Sequence, residues 1–310
     1  MEFELRIYIH DTYEFFECAY ENKHTKRHLP LAKSLTDFLD LDLSFLPASF
    51  NRLNRHRIHG SVQGQKEWMQ EAQRFIESLG RRHVYFCAVS KALSEHFALL
   101  EPGAAYDTLY SELEALYTRL QWMQQRIAGF LEHVLDADIG EPDLGKLLRQ
   151  YYGGIEPQNV FAFAPQMLYF EEVERGIFEE TLHPETPEEI AAFLLRACLK
   201  RRQLFRKCKN CGRYFPLTGH SNTEYCDRVC DESGKTCKEA GALYAWEKKI
   251  ESNPILKAYS RAYKKRFAWI RYGKITKETF YDWAELARLK RERCLKGQIS
   301  LEKYLEWLNE

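Results

Sequence analysis

Lys207–Phe215 reads KCKNCGRYF, Thr223–Cys230 reads TEYCDRVC and Gly234–Glu239 reads GKTCKE, so five of the nine cysteines in this 310-residue chain fall between Cys208 and Cys237. Cys208 and Cys211 are separated by two residues, a spacing that lets both thiolates turn inward on one tight knuckle toward a single tetrahedral ion, and Gly212 allows that knuckle to close. Arg213, Tyr214 and Phe215 suit a strand, Pro216 to Asn222 a turn, and Thr223 to Tyr225 a returning strand that brings Cys226 back to the same ion. The segment thus predicts a β-hairpin of zinc-ribbon type. A disulfide framework is the poorer reading, because the N-terminal MEFELRIYIHD lacks the basic start and apolar run of an export signal.

Three ligands leave the fourth to be chosen between Cys230 and Cys237. Cys237 directly precedes Lys238, Glu239 and Ala240 at the start of a predicted helix, and the loop before it contains Gly234, so Cys237 is preferred. His220 falls at the tip of the expected hairpin, pointing away from the ion. Four thiolates leave no open coordination position, which makes the expected Zn2+ structural. Cys18, Cys87, Cys198 and Cys294 are scattered and read as small core hydrophobes. His24 with His28, and His56 with His59, have spacings that would bind metal on helices, but they sit among Lys26, Arg27, Arg52, Arg55 and Arg57 and read as basic surface.

Upstream, Phe3, Leu5, Ile7 and Ile9 alternate as in a half-buried strand, and Gln166 to Val173 is a second strand candidate. Tyr106, Tyr110, Leu113, Tyr117, Leu120, Gln124, Ile127, Leu131 and Val134 recur at steps of four and three, which predicts one long core helix between Pro102 and Pro142. Thr186, Pro187 and Glu189 spell a helix start: a capping hydroxyl, a proline at the first position and a glutamate that can bond back. Ile190, Phe193, Leu194 and Ala197 would be the buried stripe of that helix. Downstream, Gly273, Ile275, Thr276 and Phe280 are echoed by Gly297, Ile299, Ser300 and Tyr304, two helix starts of the same construction in a small bundle. The expected fold class is mainly α: a helical N-terminal domain with few strands over 1–185, a helix plus four-cysteine zinc ribbon over 186–245, and a basic helical tail over 246–310.

Lys plus Arg and Asp plus Glu both number 45, so no whole-chain charge argues for a partner. Residues 201–310 nevertheless hold 25 basic against 14 acidic side chains, a net of +11, which leaves −11 for residues 1–200. Ile255 to Lys274 contains no acid at all. Lys257, Arg261, Lys264 and Arg271 share a helical face that Lys265 and Arg266 widen, while Tyr259, Tyr263, Phe267 and Ile270 form a separate apolar stripe. A helix with one packing face and one cationic face is suited to phosphate binding, and Lys257, Arg261, Lys264, Lys265 and Arg271 are the nucleic-acid-binding candidates. Arg213 and Arg228 on the ribbon would add to that charge. No aromatic ladder or single-strand stacking motif argues for RNA. There is no phosphate-binding glycine loop, dinucleotide fingerprint or Gly-x-Ser-x-Gly elbow, and no catalytic residue is assigned. No apolar run of about 18 residues is present, so a membrane partner is not expected and the chain is placed in the cytoplasm.

The run from Lys207 to Phe215, with Tyr225-Cys226-Asp-Arg228 and Thr236-Cys237-Lys-Glu239, resembles an uncharacterised bacterial family of zinc-ribbon proteins over the C-terminal part of the chain. More distantly it resembles the CGNR-type zinc fingers of bacterial transcription regulators, although no Cys-Gly-Asn-Arg tetrad occurs. The resemblance implies Cys208, Cys211, Cys226 and Cys237 as the ligand set. The expected function is that of a zinc-binding, DNA-binding regulator that is not an enzyme, with self-association through the N-terminal helical domain. The alternative is a protein-interaction module whose basic tail docks on an acidic protein surface. A nuclease in the N-terminal half is a third reading.

Overall fold

A computed structural model describes residues 4–20, 23–55, 62–99, 102–218, 222–230, 234–241, 250 and 252–310. The chain divides into two compact units, Met1–Cys208 with Gly212–Glu224, and Lys209–Cys211 with Tyr225–Glu310.

In the first unit, β1 (Glu4–His10), β2 (Tyr13–Tyr20) and β3 (Lys23–Pro30) are followed far along the chain by β4 (Tyr169–Glu174) and β5 (Ile177–Leu182). They form one antiparallel sheet in the order β3-β2-β1-β5-β4. β1 follows its alternation: Leu5, Ile7 and Ile9 are buried and stand opposite Cys18, Phe16 and Glu14 of β2. This sheet overturns the expected mainly α class with few strands, because the first unit is a mixed α/β structure. Three of its strands, β2, β3 and β5, were not anticipated, the first two for physical reasons. β2 carries Glu14 on its core side, where Oε1 accepts the Ser34 N–H at 2.6 Å, so its apolar alternation is broken. β3, KHTKRHLP, lies at the sheet edge and joins it through the backbone ladder and through Lys26, which pairs with Glu17 at 3.2 Å and Glu174 at 2.9 Å. Charged edges are common and leave no hydrophobic period to read. His24 and His28 belong to this strand, not to a helix, and residues four apart on a strand lie about 13 Å from each other. His56 and His59 lie outside the described residues.

The helices of this unit are α1 (Lys33–Leu39), α2 (Phe45–Arg55), α3 (Val62–Arg82), α4 (Phe86–Ala98), α5 (Pro102–Phe130), α6 (Leu144–Gly154) and α7 (Pro187–Arg201). α5 continues into a π-helical turn, Leu131–Leu135. The anticipated seam is buried from Leu113 onward through Leu120, Ile127, Leu131 and Val134, and Leu116, Met123 and Phe130 broaden it into the stripe of a core helix. Gln124 sits in that seam because its amide donates to the carbonyls of Phe38 at 2.7 Å and Leu41 at 2.9 Å. At the head of α7, Thr186 Oγ1 accepts from Glu189 N–H at 3.3 Å and Glu189 Oε2 accepts from Glu185 N–H at 2.9 Å. Arg202, in the left-handed region at φ 52°, ends the helix and turns the chain toward the cysteines.

The second unit contains α8 (Pro254–Arg271), α9 (Lys277–Leu295) and α10 (Leu301–Asn309), each in contact with the other two. Asn253, Thr276 and Ser300 cap them, accepting from Ile255, Thr279 and Lys303 respectively. Gly273 and Gly297 both have positive φ just before the last two caps, and the echoed aromatics Phe280 and Tyr304 are fully buried. Tyr304 also donates its hydroxyl to the Ala287 carbonyl at 3.2 Å.

Candidate functional site

After α7 the chain forms β6 (Phe205–Lys207), which pairs antiparallel with β7 (Tyr214–Pro216). Cys208 to Arg213 is therefore the loop of a short hairpin. Cys208 N–H donates to Arg213 O at 2.9 Å and Gly212 N–H returns to Cys208 O at 2.8 Å. Gly212 has φ 71°, a conformation that a side chain would strain, so the glycine of the knuckle is demanded by the backbone.

The second approach to the site differs from the expected hairpin. β7 pairs with β6, upstream of the knuckle, and Thr223 to Tyr225 is not a strand. Cys226 and Cys237 are instead brought side by side by a separate loop. Cys237 N–H donates to Arg228 O at 2.7 Å, Cys230 N–H to Lys235 O at 2.9 Å and Lys238 N–H to Cys226 O at 3.0 Å, with an isolated bridge between Val229 and Thr236. Thr236 then opens a helical stretch over 237–241. Its hydroxyl accepts from Glu239 N–H at 3.3 Å while its own N–H donates to Glu239 Oε2 at 2.8 Å, a reciprocal cap that fixes Cys237 in the first turn. Tyr225 lies against Gly241, where a Cβ would come within 2.2 Å of the ring.

These two loops place the sulfurs of Cys208, Cys211, Cys226 and Cys237 within 4.8 Å of one another, a group that could hold a metal ion. Cys211 and Cys226 are 3.7 Å apart at sulfur, against about 3.8 Å for the edge of a tetrahedron with Zn–S bonds near 2.3 Å. Cys208, Cys226 and Cys237 are buried and Cys211 half-buried. Burial pushes the Cys237 thiol up, while the Asn210 amide, donating to its sulfur at 3.4 Å, favours the thiolate. Cys230 is exposed, directs its thiol to Lys235 O at 3.4 Å and stands outside the group. His220 lies outside the described residues. The group contains only thiols, a donor set that suits Zn2+ and closes its coordination.

Residues 166–309 match DUF6076, a family of unknown function. The match takes in β4, β5, α7, the four cysteines and all three C-terminal helices, so the DUF6076 likeness includes the candidate centre and the basic helix. It agrees with the expected resemblance only in being to an uncharacterised family over the C-terminal part of the chain; neither a zinc-ribbon family nor the CGNR type is shown by it. No curated protein and no solved structure matches the chain. No helix among the described residues is long and apolar enough to cross a membrane.

The cations divide into two classes. Near the knuckle they are paired: Arg206 with Asp138 at 2.9 Å, Lys207 with Glu132 at 3.2 Å and Arg213 with Asp40 at 3.8 Å. Arg213 is thus not the free ribbon charge the sequence suggested. On α8, Lys257, Arg261, Lys264, Lys265 and Arg271 are all exposed, and among the described residues none of the five is in an ion pair. Arg266 is half-buried, its guanidinium 5.3 Å from the Trp269 ring and 4.7 Å from the Trp283 ring. Lys257, Arg261, Lys265 and Arg266 border a cleft of about 480 Å3 together with Trp269 and with Leu305 and Leu308 of α10. Lys264 and Arg271 do not line it. Leu305 and Leu308 lie on an element some forty residues downstream, so the cleft has no local signature; the apolar i, i+3 pair on α10 is its one sequence trace.

Proposed function

We propose that this chain is a zinc-binding, DNA-binding regulator. One structural Zn2+ on Cys208, Cys211, Cys226 and Cys237 joins the two cysteine loops, and α8 meets the phosphate backbone with Lys257, Arg261, Lys264, Lys265 and Arg271. The observation that carries this reading is the acid-free helix whose five exposed cations have no ion-pair partner among the described residues. Cations that serve only folding tend to be paired, as they are beside the knuckle. Five phosphate contacts release condensed counterions and give a log–log salt slope of about −4 to −5.

The test is a titration of the full-length, zinc-loaded protein with fluorescent DNA, duplex and single-stranded, at two salt concentrations. The expected result is measurable binding at low salt that weakens several hundred-fold over a fourfold rise in salt. Lys257→Glu with Arg261→Glu and Lys264→Glu should abolish it. Absence of binding even at low salt overturns the reading.

A second reading, a module that docks on an acidic protein surface, is favoured by the exposed Tyr272, Tyr281, Leu286 and Leu289 of the same unit. Those side chains supply apolar contact that a phosphate backbone would not use. Binding to an acidic protein that survives high salt and needs Tyr272 and Tyr281 would select this reading.

A further inference from the structure

The cleft between α8 and α10 has the properties of a strand-binding groove and not of a surface for duplex. Lys257, Arg261 and Lys265 recur every four residues along one wall, steps of about 6 Å, comparable to the separation of successive phosphates in an extended strand. The opposite side presents Leu305 and Leu308 with the neutral Asn309, and no carboxylate side chain is among the described residues lining the cleft. Trp269 stands at the end of this row, with the Lys265 ammonium 5.5 Å and the Arg266 guanidinium 5.3 Å from its ring. Arg266 is itself held over Trp283 of α9, so this cationic and aromatic platform is anchored at both ends.

We infer that this cleft is a subsite for single-stranded nucleic acid, its phosphates aligned along Lys257, Arg261 and Lys265 and an unstacked base received against Leu305, Leu308 and Trp269. The inference rests on the nucleic-acid reading above and adds to it the form of the ligand. A duplex keeps its bases stacked inside and offers phosphates on a convex surface, so it has nothing to insert into a concavity of about 480 Å3. A single strand offers both a flexible backbone and free base faces, and grooves that bind it combine cations with apolar or aromatic platforms. Lys264 and Arg271 lie outside the cleft and act on either form of backbone.

The experiment is fluorescence anisotropy with the full-length, zinc-loaded chain, comparing a short oligothymidylate with a duplex of equal length at one salt concentration. Leu305→Glu places a carboxylate in the cleft without touching a cation, and Leu305 is exposed enough to tolerate it. Lys257→Gln with Lys265→Gln is the second cleft variant, and Lys264→Gln with Arg271→Gln is the control pair. Helical content and zinc content verify folding of each. Leu305→Glu is expected to weaken oligothymidylate binding at least tenfold and duplex binding less than threefold, whereas the control pair lowers both alike. A preference of the wild-type chain for duplex, or equal losses for both ligands in the cleft variants, overturns the subsite while leaving the nucleic-acid reading standing. Binding to neither ligand overturns both.

Discussion

The two units are held together by different means. The first buries a continuous core drawn from its sheet and from α1 to α7, including Ile7, Leu35, Phe38, Leu46, Phe130, Leu194 and Phe205. The second has a small cluster of Ala287, Cys294, Tyr304 and Leu308, with Phe280 buried nearby, and it leaves Phe267, Tyr272, Tyr281 and Leu286 more than half exposed. The first unit can tolerate buried polar groups, among them Glu14, Ser34, His83 and Tyr85, because the apolar area around them is large. The second has less such area, and among the described residues the cysteine loops at its start have few buried apolar side chains besides the thiols themselves. The lesson is that burial stabilises one part of this chain, whereas the other relies on a set of helix caps and, on the proposed reading, would rely on an ion held by its cysteines.

That contrast yields predictions of decreasing size. Cys237→Ser should release the metal and disorder the loops on either side of it. Its effect exceeds that of any single core substitution, because metal binding in such sites is worth on the order of 10 kcal/mol. Metal analysis and amide exchange would detect it, and retention of one equivalent of zinc would contradict it. Within the second unit, Tyr304→Ala removes a fully buried ring and a hydrogen bond to Ala287 and should cost about 3 to 5 kcal/mol in thermal or denaturant unfolding.

In the first unit the measurable quantity is pH dependence. Burial holds the Glu14 carboxyl protonated up to about 8, against an ordinary 4.5, and only Oε1 has a hydrogen-bond partner, the Ser34 N–H. The folded chain keeps a proton there that the unfolded chain releases, so stability is full below about 4.5 and falls as pH rises to about 8. The slope is at most about 1.4 kcal/mol per pH unit. Glu14→Gln should flatten this profile and raise stability at the alkaline end; an unchanged slope would remove Glu14 from the explanation. His83 opposes this in the lower part of the window. Burial lowers it to about 4, so between there and the ordinary 6.5 the unfolded chain takes up a proton that the folded imidazole, accepting the Tyr85 N–H on Nδ1, refuses, and stability due to His83 rises with pH. Above about 6.5 the Glu14 slope stands alone. Smaller still, Thr276→Ala removes the cap of α9 and should cost about 1 kcal/mol in unfolding experiments. Cys230→Ser should leave zinc content unchanged, the sharpest contrast with Cys237→Ser.

Features set by neighbours in the chain were legible in the residues alone. Cys208, Cys211 and Gly212 spell a knuckle, Thr186, Pro187 and Glu189 spell a cap, and Gly273 with Thr276 and Gly297 with Ser300 spell two helix junctions. Each involves hydrogen bonds spanning only a few residues. Features set by distant partners were not. β3 is a strand because β2 lies beside it, β5 pairs with β1 across most of the chain, and Glu14 turns inward to meet Ser34. The cysteine cluster stands between these cases. The spacing alone left Cys230 and Cys237 both open, and it is the reciprocal cap of Thr236 with Glu239 and the bond from Cys237 N–H to Arg228 O that bring Cys237 to the other three. The sequence Thr236-Cys-Lys-Glu239 carried that cap in plain view.

The most direct measurement is X-ray absorption at the zinc edge on the full-length chain, together with metal quantification. One zinc per chain in a shell of four sulfurs at about 2.3 Å is the expected result. A folded chain free of metal, or a shell in which nitrogen or oxygen replaces one of the sulfurs, would contradict the assignment of Cys208, Cys211, Cys226 and Cys237 as a closed structural centre.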